Sequence, residues 1–449
     1  MIKKLFNFNY HSPYLVWFLG AIFFFTDYII RVSPSILTPS LMEFFHTNAF
    51  TFGGFSAFFY YAYIGMQIPV GILVDRFSAK WLLIMASVIC ALGTFMFAAM
   101  DNIAIGFLSR FLMGFGASFA FVGTLKLISL WFKADRFAFL AGLTQAMGMV
   151  GAMVGQGPMA LVYQSIGWRN GMYGLGVVFL IISILMLLFI KNTSSNLKSG
   201  NRDAYDKVIV WSSLKLILTN PQNWFNCLFV GLLYAPSACF GEQWGISFLS
   251  LNQGISIAAA GHETGVMFLG LAIGCPILGW ISDRIQRRLL IMRISVVACF
   301  ILLSMVIYGK LFSGLQFISP ATYTVFLFVY GFFNSGIVCS YALASEINPP
   351  QLTGMALGVT NMASVLVGAM MIPIVGLILD GFSTFAVDNQ MHIFNLESYQ
   401  IAFAALPIGF VIAFIISFFQ KETYCQRLNF NDTKLNNASE YINYRCQES

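Results

Sequence analysis

Apolar residues run in long stretches along almost the whole chain, separated by short polar segments that hold most of the Lys and Arg residues. A helix of ~20 apolar residues spans a hydrocarbon core of ~30 Å. Twelve such stretches fall at roughly 14–36, 52–73, 81–100, 103–124, 139–163, 170–190, 222–248, 264–282, 288–308, 319–344, 353–379 and 399–420. A lipid-exposed span must satisfy its backbone groups within itself, so this pattern predicts an all-α membrane protein of twelve transmembrane helices.

Composition agrees. Of 449 residues, 58% are hydrophobic and 9% charged, and the mean hydropathy is +0.78, far from a soluble domain. The start, MIKKLFNFNYHSP, is basic but lacks a small-residue cleavage site, so the first span is expected to be retained. Lys3 and Lys4, Arg76 and Lys80, Lys133 and Arg136, the middle loop, Arg284, Arg287 and Arg288, and the tail all fall on one side; Arg169 and Lys310 are the chief exceptions. By the positive-inside bias both termini are cytoplasmic, in an inner (plasma) membrane. The net charge of +6 is therefore a topology signal facing membrane lipid, and no nucleic-acid partner is expected. Eight cysteines show no CxxC spacing; six lie in spans and two, Cys425 and Cys446, in the tail, so disulfides are not expected. No HExxH, Walker or Rossmann pattern occurs, and the four scattered histidines make no metal site. No cofactor is implied, and a nucleotide-driven pump or a membrane enzyme is excluded.

The longest polar connection, KNTSSNLKSGNRDAYDKVIVWSSLK (Lys191 to Lys215), separates six spans from six. It sets the expected domains: a bundle over 1–190, a cytoplasmic linker over 191–221, a second bundle over 222–420 and a cytoplasmic tail over 421–449. The halves echo one another. GILVDRFSAK (Gly71 to Lys80) returns as GWISDRIQRR (Gly279 to Arg288) at an offset of 208 residues, and GLTQAM (Gly142 to Met147) returns as GVTNMA (Gly358 to Ala363). Gly71, Asp75, Arg76 and Lys80 match the loop motif GxxxDRxxx[KR] of the major facilitator superfamily, and Arg110, Gly114 and Gly116 match its fourth-span RxxxGxG pattern. The chain resembles that family over nearly its whole length. The resemblance implies two pseudo-symmetric six-helix bundles around a cavity that opens alternately to either side. It also implies that Asp75 meets the N-terminus of the eleventh helix when the cytoplasmic side is shut, where the helix dipole favours an anion. Arg76 and Lys80 would tether that gate, and Gly279, Asp283, Arg284 and Arg288 would repeat it in the second half. Gly148, Gly151, Gly155, Gly157 and Pro158 in the fifth span only loosely resemble the antiporter signature and carry no inference of antiport.

The first span contains TDYIIRVSPSILTP, with Asp27 and Arg31 one helical turn apart on one face. A charge at mid-bilayer costs at least ~2.5–3.5 kcal/mol, so both residues require compensation. They either neutralise each other as a local pair or face an aqueous cavity, where Arg31 presents a fork to a carboxylate or phosphate. The segment resembles the first span of organic-anion and organophosphate carriers, with Arg31 as the substrate arginine and Pro39 eight residues on. Those phosphate-recognising relatives take a second arginine from the seventh span, but LYAPSACFGEQWGISFL (Leu233 to Leu249) has Ala238 there, and its only charge is Glu242. The same stretches resemble the phagosomal nutrient-transporter group and the lysosomal dipeptide-transporter branch.

The expected binding set is Asp27, Tyr28, Arg31, Tyr63, Gln67, Gln145, Glu242, Asn334 and Asn361, with Asp27 also exchanging the coupling proton. Tyr60, Tyr63 and Gln67 share one face of the second span. Arg110 is expected to be structural, Glu346 to cap the inner gate, and Trp244 to serve as an interface anchor or a gate. The chain is thus read as a monomeric secondary transporter, proton-coupled, for a small carboxylate-bearing solute, an amino acid or short peptide first. An organic-anion, sugar-acid or organophosphate carrier and a non-transporting nutrient sensor are the alternatives; Arg31 argues against a multidrug exporter.

Overall fold

The computed structural model describes residues 12–132, 134–191, 214–313, 319–349, 352–386 and 391–426. Lys3, Lys4, Lys133, most of the linker and the tail beyond 426, Cys446 included, lie outside these residues, as do the side chains of Asp75 and Arg76.

Twelve long helices account for the predicted spans among the described residues: α1 Pro13–Phe45, α2 Ala49–Arg76, α3 Ala79–Ala99, α4 Ile103–Trp131, α5 Ala134–Ile166, α6 Trp168–Phe189, α7 Pro221–Gln253, α8 Ile257–Ile285, α9 Arg288–Ser313, α10 Pro320–Glu346, α11 Thr353–Gly381 and α12 Leu396–Ile416. Among the described residues, eleven are long and apolar enough to cross a membrane; α5 is the twelfth, and the side chains of 134, 135 and 137–139 at its start lie outside the described residues. Their starts follow from sequence. Pro13, Pro221 and Pro320 sit in first turns, where a missing N–H costs nothing. Asn48, Asn102 and Asn220 cap α2, α4 and α7 through their side chains. Many helices run several residues beyond their apolar stretches, because polar ends remain helical outside the hydrocarbon. One element was not foreseen: β1 Thr384–Ala386 pairs antiparallel with β2 Met391–Ile393, between α11 and α12.

Helices α1 to α6 pack among themselves, as do α7 to α12, and the two six-helix sets meet through α2 with α11, α5 with α8, and α1 with α7. Small residues set the packing distances. A Cβ on Gly114 of α4 would lie 2.0 Å from the Phe59 carbonyl oxygen of α2, and one on Gly331 of α10 would lie 1.9 Å from the Met267 carbonyl oxygen of α8. Phe59 and Met267 are separated by the same 208 residues as the two loop motifs, so the internal repeat is a repeat of helix seams. The fifth-span glycines have a similar use. A Cβ on Gly151 would meet the Phe25 carbonyl oxygen at 2.3 Å and one on Gly155 the Ile29 Cα at 2.9 Å, so they let α5 lie against the backbone of α1.

The face carrying both chain ends, here the terminal face, differs from the opposite face. At the opposite face Gly376 of α11 packs on the Ala49 carbonyl of α2, Gly53 of α2 on Pro373 of α11, and Gly157 of α5 on His262 of α8. Toward the terminal face, a Cβ on Gly71 of α2, Gly142 of α5, or Gly354 or Gly358 of α11 would meet no described atom within 4 Å. Glycine contacts between the halves thus gather at the opposite face.

The motif residues at the terminal face that are described make contacts within their own halves. Lys80 Nζ donates to the Leu187 carbonyl at 2.8 Å, near the end of α6. Arg288 pairs with Asp283 at 2.5 Å and with Glu346 at 2.8 Å, while Arg284 lies over Trp280 and a Cβ on Gly279 would lie 3.8 Å from Val338. The tail, expected to be disordered or loosely docked from Lys421 onward, begins with a fixed segment. Glu422 accepts from the Arg288 and Leu289 amides at 2.9 Å each, and Thr423 donates to Glu346. The cause is the exposed start of α9, whose unpaired amides take a carboxylate.

Substituting Gly114 or Gly331 by leucine should prevent monodisperse folding, since each displaces backbone and exceeds the ~1–3 kcal/mol of ordinary overpacking. Gly71→Ala, placed in open space, should leave the melting temperature within a few degrees of wild type by fluorescence-detected size exclusion.

Candidate functional site

Arg31 lies in the middle third of α1, and the local sequence surrounds it with rings. Its guanidinium sits 4.3 Å from the Tyr28 ring centroid, 4.8 Å from Tyr63 and 5.3 Å from Phe59. Tyr28 comes from the preceding turn of α1; Phe59 and Tyr63 are one turn apart on α2 and stack on each other. Such faces attract a desolvated cation by ~2 kcal/mol or more, and they leave only the edge of the guanidinium for polar partners. Asp27 lies 3.6 Å from Nη2 without a hydrogen bond.

Burial is nearly complete, 0% exposure for Asp27 and 2% for Arg31. Nonetheless Arg31 Nε and Nη2 and both Asp27 carboxylate oxygens have no hydrogen-bond partner among the described residues. The expected alternatives were a self-neutralised pair or two groups in water. The observed arrangement is neither: a loose pair, taken out of water and left short of partners.

Arg110 has a different task. It donates to the Ile30 carbonyl at 2.8 Å, the Arg31 carbonyl at 3.3 Å and the Ser56 carbonyl at 3.5 Å, with Phe59 over its guanidinium at 4.7 Å. This one side chain from α4 fixes the backbone of α1 at Arg31 and ties it to α2.

Glu242 enters from α7, which changes to a π-helix over Ser237–Trp244. The wider turn is a rare form that often marks functional positions. Glu242 is 1% exposed and accepts from Tyr234 at 2.6 Å and from Tyr60 of α2, so one tyrosine of each half holds it. The rest of the π segment is also seated on the first half. Gln156 of α5 donates to the Gly241 carbonyl, Gln243 donates to Thr38 of α1 at 3.5 Å, and the Trp244 ring meets Phe52 of α2 edge-on. Trp244, placed by sequence near a membrane interface, is fully buried and donates to the Ile372 carbonyl at 3.1 Å.

On the terminal side of this cluster Asn361 of α11 donates to Gln67 of α2 at 3.3 Å and accepts from Tyr341 of α10 at 3.0 Å. Beyond this bridge lie the glycines without neighbours. The buried charges thus sit between a broad contact of the halves toward the opposite face and a thin amide bridge toward the terminal one.

Of the sequence-derived set, Asp27, Tyr28, Arg31, Tyr63 and Glu242 converge, and Gln67 and Asn361 form the bridge. Asn334 is engaged elsewhere: it accepts from Ser237 at 2.9 Å and donates to the Leu233 carbonyl at 2.8 Å, binding α10 to α7. Gln145 is half-buried on α5, one turn from Gly148, with no hydrogen bond to the cluster among the described residues. Phe59, Tyr234 and Gln156 were not foreseen. Phe59 had no polar signal to single it out, and the pairing of Tyr234 with Glu242 depends on the π turn.

Residues 16–373 and 243–434 match the sequence profile of the Major Facilitator Superfamily. The chain belongs to that superfamily. It is 25% identical over 318 residues to the probable sulfoacetate transporter SauU of Cupriavidus necator, covering 68% of this chain and 71% of that one. It is 24% identical over 340 residues to the probable galactarate/D-glucarate transporter GudP of Escherichia coli, covering 69% and 74%. Its fold matches a bacterial homologue of the human lysosomal transporter Spinster, solved inward-facing and unoccupied, with a TM-score of 0.73, 13% identity, and coverage of 93% of this chain and 99% of that one. The protein is thus an integral, multi-pass membrane transporter of the major facilitator superfamily.

Tyr60→Phe removes one of two donors to a buried carboxylate and should lower stability by about 1.5–3 kcal/mol. Tyr234→Phe should cost a similar amount, and a thermal-shift series in detergent checks both; no loss in either would mean that the tyrosine contacts to Glu242 do not hold the halves together.

Proposed function

We propose that this superfamily member is a secondary carrier of a small organic anion recognised through one carboxylate, and that it carries a proton with it. The observation supporting this most directly is the edge of Arg31, two buried nitrogens with no protein partner beneath a sleeve of aromatic rings. A carboxylate presents two oxygens in one plane, the shape that a guanidinium edge takes in a bidentate pair. Ala238 stands where a second arginine would serve a doubly charged phosphate, which disfavours organophosphates.

An amino acid or short peptide was the first expectation. The relatives named for sulfoacetate and for galactarate and D-glucarate favour the organic-anion alternative. Asp27 fits both, since its unpaired oxygens suit a substrate hydroxyl as well as an ammonium. Hydroxyl-bearing sugar acids are preferred on the combined weight of Arg31, the relatives and the polar side chains around the cluster.

Charge balance supports coupling. The cluster holds two carboxylates, Asp27 and Glu242, and two guanidinium groups, Arg31 and Arg110. A bound anion adds uncompensated negative charge in a site out of water, one charge for a sugar monoacid and two for a diacid or sulfoacetate, which costs several kcal/mol. One proton entering for each added charge restores neutrality. Asp27 is assigned as its acceptor, because Glu242 already has two tyrosine donors. With the terminal face taken as cytoplasmic, the structure corresponds to an inward-parted state of an alternating-access cycle.

A thermal-shift screen of purified protein with D-glucarate, galactarate, sulfoacetate and neutral amino acids tests the substrate class. Protection by at least one organic anion and none by neutral amino acids is expected; the reverse pattern would restore the amino-acid reading. Arg31→Ala, checked for monodispersity, should lose about 2–5 kcal/mol of binding, a thirtyfold or larger drop in affinity. Asp27→Asn should abolish accumulation driven by an imposed proton gradient in proteoliposomes while leaving counterflow exchange. Undiminished accumulation would remove Asp27 from the coupling role.

A further inference from the structure

At the opposite face the last turn of α11 meets the first turn of α2. Asp380 accepts hydrogen bonds there from the Ala49 amide at 2.8 Å and the Phe50 amide at 2.7 Å, one to each carboxylate oxygen. The next amide, of Thr51, is taken by Asn48 at 2.9 Å. The first three N–H groups of α2 are thus all satisfied, two of them by a residue of the other half of the molecule. Helix starts leave amides without intrahelical partners and carry partial positive charge, so an aspartate is a strong ligand for this one. Ordinary capping uses a residue just before the helix. A cap supplied 331 and 330 residues further along the chain acts between rigid bodies.

We infer that Asp380 is a latch that holds the opposite face of this carrier shut, and that its release sets how often that face opens. The inference rests on the alternating-access reading above. Gly376 and Gly53 bring the two backbones into contact beside Asp380, so the carboxylate reaches the amides only while α2 and α11 touch. When the halves separate at that face, Asp380 loses both donors and α2 loses two-thirds of its cap together. Asp380 stands in the last turn of α11 as the loop-motif Asp75 stands in the last turn of α2. The family resemblance gives Asp75 a gating role at the terminal face; Asp380 lies at the opposite one.

The test measures opening directly. Spin labels at Ile105→Cys on α4 and Val325→Cys on α10, both exposed and in different halves, report separation at the opposite face by pulsed electron resonance in a background without other reactive cysteines. Asp380→Asn and Asp380→Ala should raise the long-distance population about tenfold, the loss expected for roughly one charge-assisted hydrogen bond. Amide exchange in the peptide containing Ala49 and Phe50 should accelerate with it. Asn48→Ala is the control: it removes the local cap without touching the contact between halves, so it should speed exchange at Thr51 and leave the distances unchanged. An unchanged distance distribution in monodisperse Asp380→Asn would overturn the latch, as would an equal shift in Asn48→Ala. A single distribution that stays fixed in wild type with and without D-glucarate, and in every variant, would instead overturn the alternating-access reading beneath it.

Discussion

The organisation of this protein turns on keeping one guanidinium charged inside a bundle of apolar helices. Arg31 is buried, its faces covered by Tyr28, Phe59 and Tyr63, and its ion pair with Asp27 is loose. An isolated buried cation would be expelled or would disrupt the bundle. Here the cost is divided: aromatic faces supply a polarisable sleeve, Asp27 and Glu242 supply opposing charge, and Arg110 spends its donors on the carbonyls of α1 itself. Arg110 therefore fixes the backbone at Arg31 without engaging its guanidinium, whose edge nitrogens, Nε and Nη2, have no hydrogen-bond partner among the described residues.

That edge has a use only if the helices around it can move as units. The seams suggest how they do so. Within each half, glycines bring backbones into contact, α2 on α4 and α8 on α10, and such contacts cannot slide by an ångström without clashes. Between the halves the glycine contacts gather at the opposite face, at Gly53, Gly157 and Gly376, and the remaining ties are polar: the π segment of α7 on α1, α2 and α5, the Gln67–Asn361 bridge, and Asp380 on α2. These are hydrogen bonds, each exchangeable for one to water at modest cost. Seams that run the length of each half, with exchangeable ties across them, suit the rocking of two bodies that the proposed function requires.

The helical architecture was legible because hydrophobic length acts one span at a time. The stripe of Tyr60, Tyr63 and Gln67 was also legible, and each member reaches a partner across the site: Glu242, Arg31 and Asn361. Tertiary geometry was less so. Asn334 has the composition of a binding residue, but its amide is consumed in joining α10 to α7. The π turn of α7 carries no period that a 3.6-residue reading detects, and with it the pairing of Tyr234 and Glu242 was hidden. Glu422 and Asp380 were invisible for a related reason: each caps a helix start far from it in sequence, and no local pattern records which start that is.

The seventh helix also explains why a single arginine suffices. Carriers of doubly charged phosphates, which this chain resembles in its first span, bring a second arginine from the seventh. Here that helix brings Glu242 instead, already bound to a tyrosine from each half. On the proposed function, a second arginine would neutralise an anionic substrate with fixed charge, leaving less electrostatic need for a proton. A carboxylate in its place does the reverse: with Asp27 and Glu242 set against Arg31 and Arg110, each negative charge that enters calls for one proton. Replacing Ala238 with a cation would on this logic loosen coupling before it improved binding, because the requirement for the proton is the missing positive charge itself.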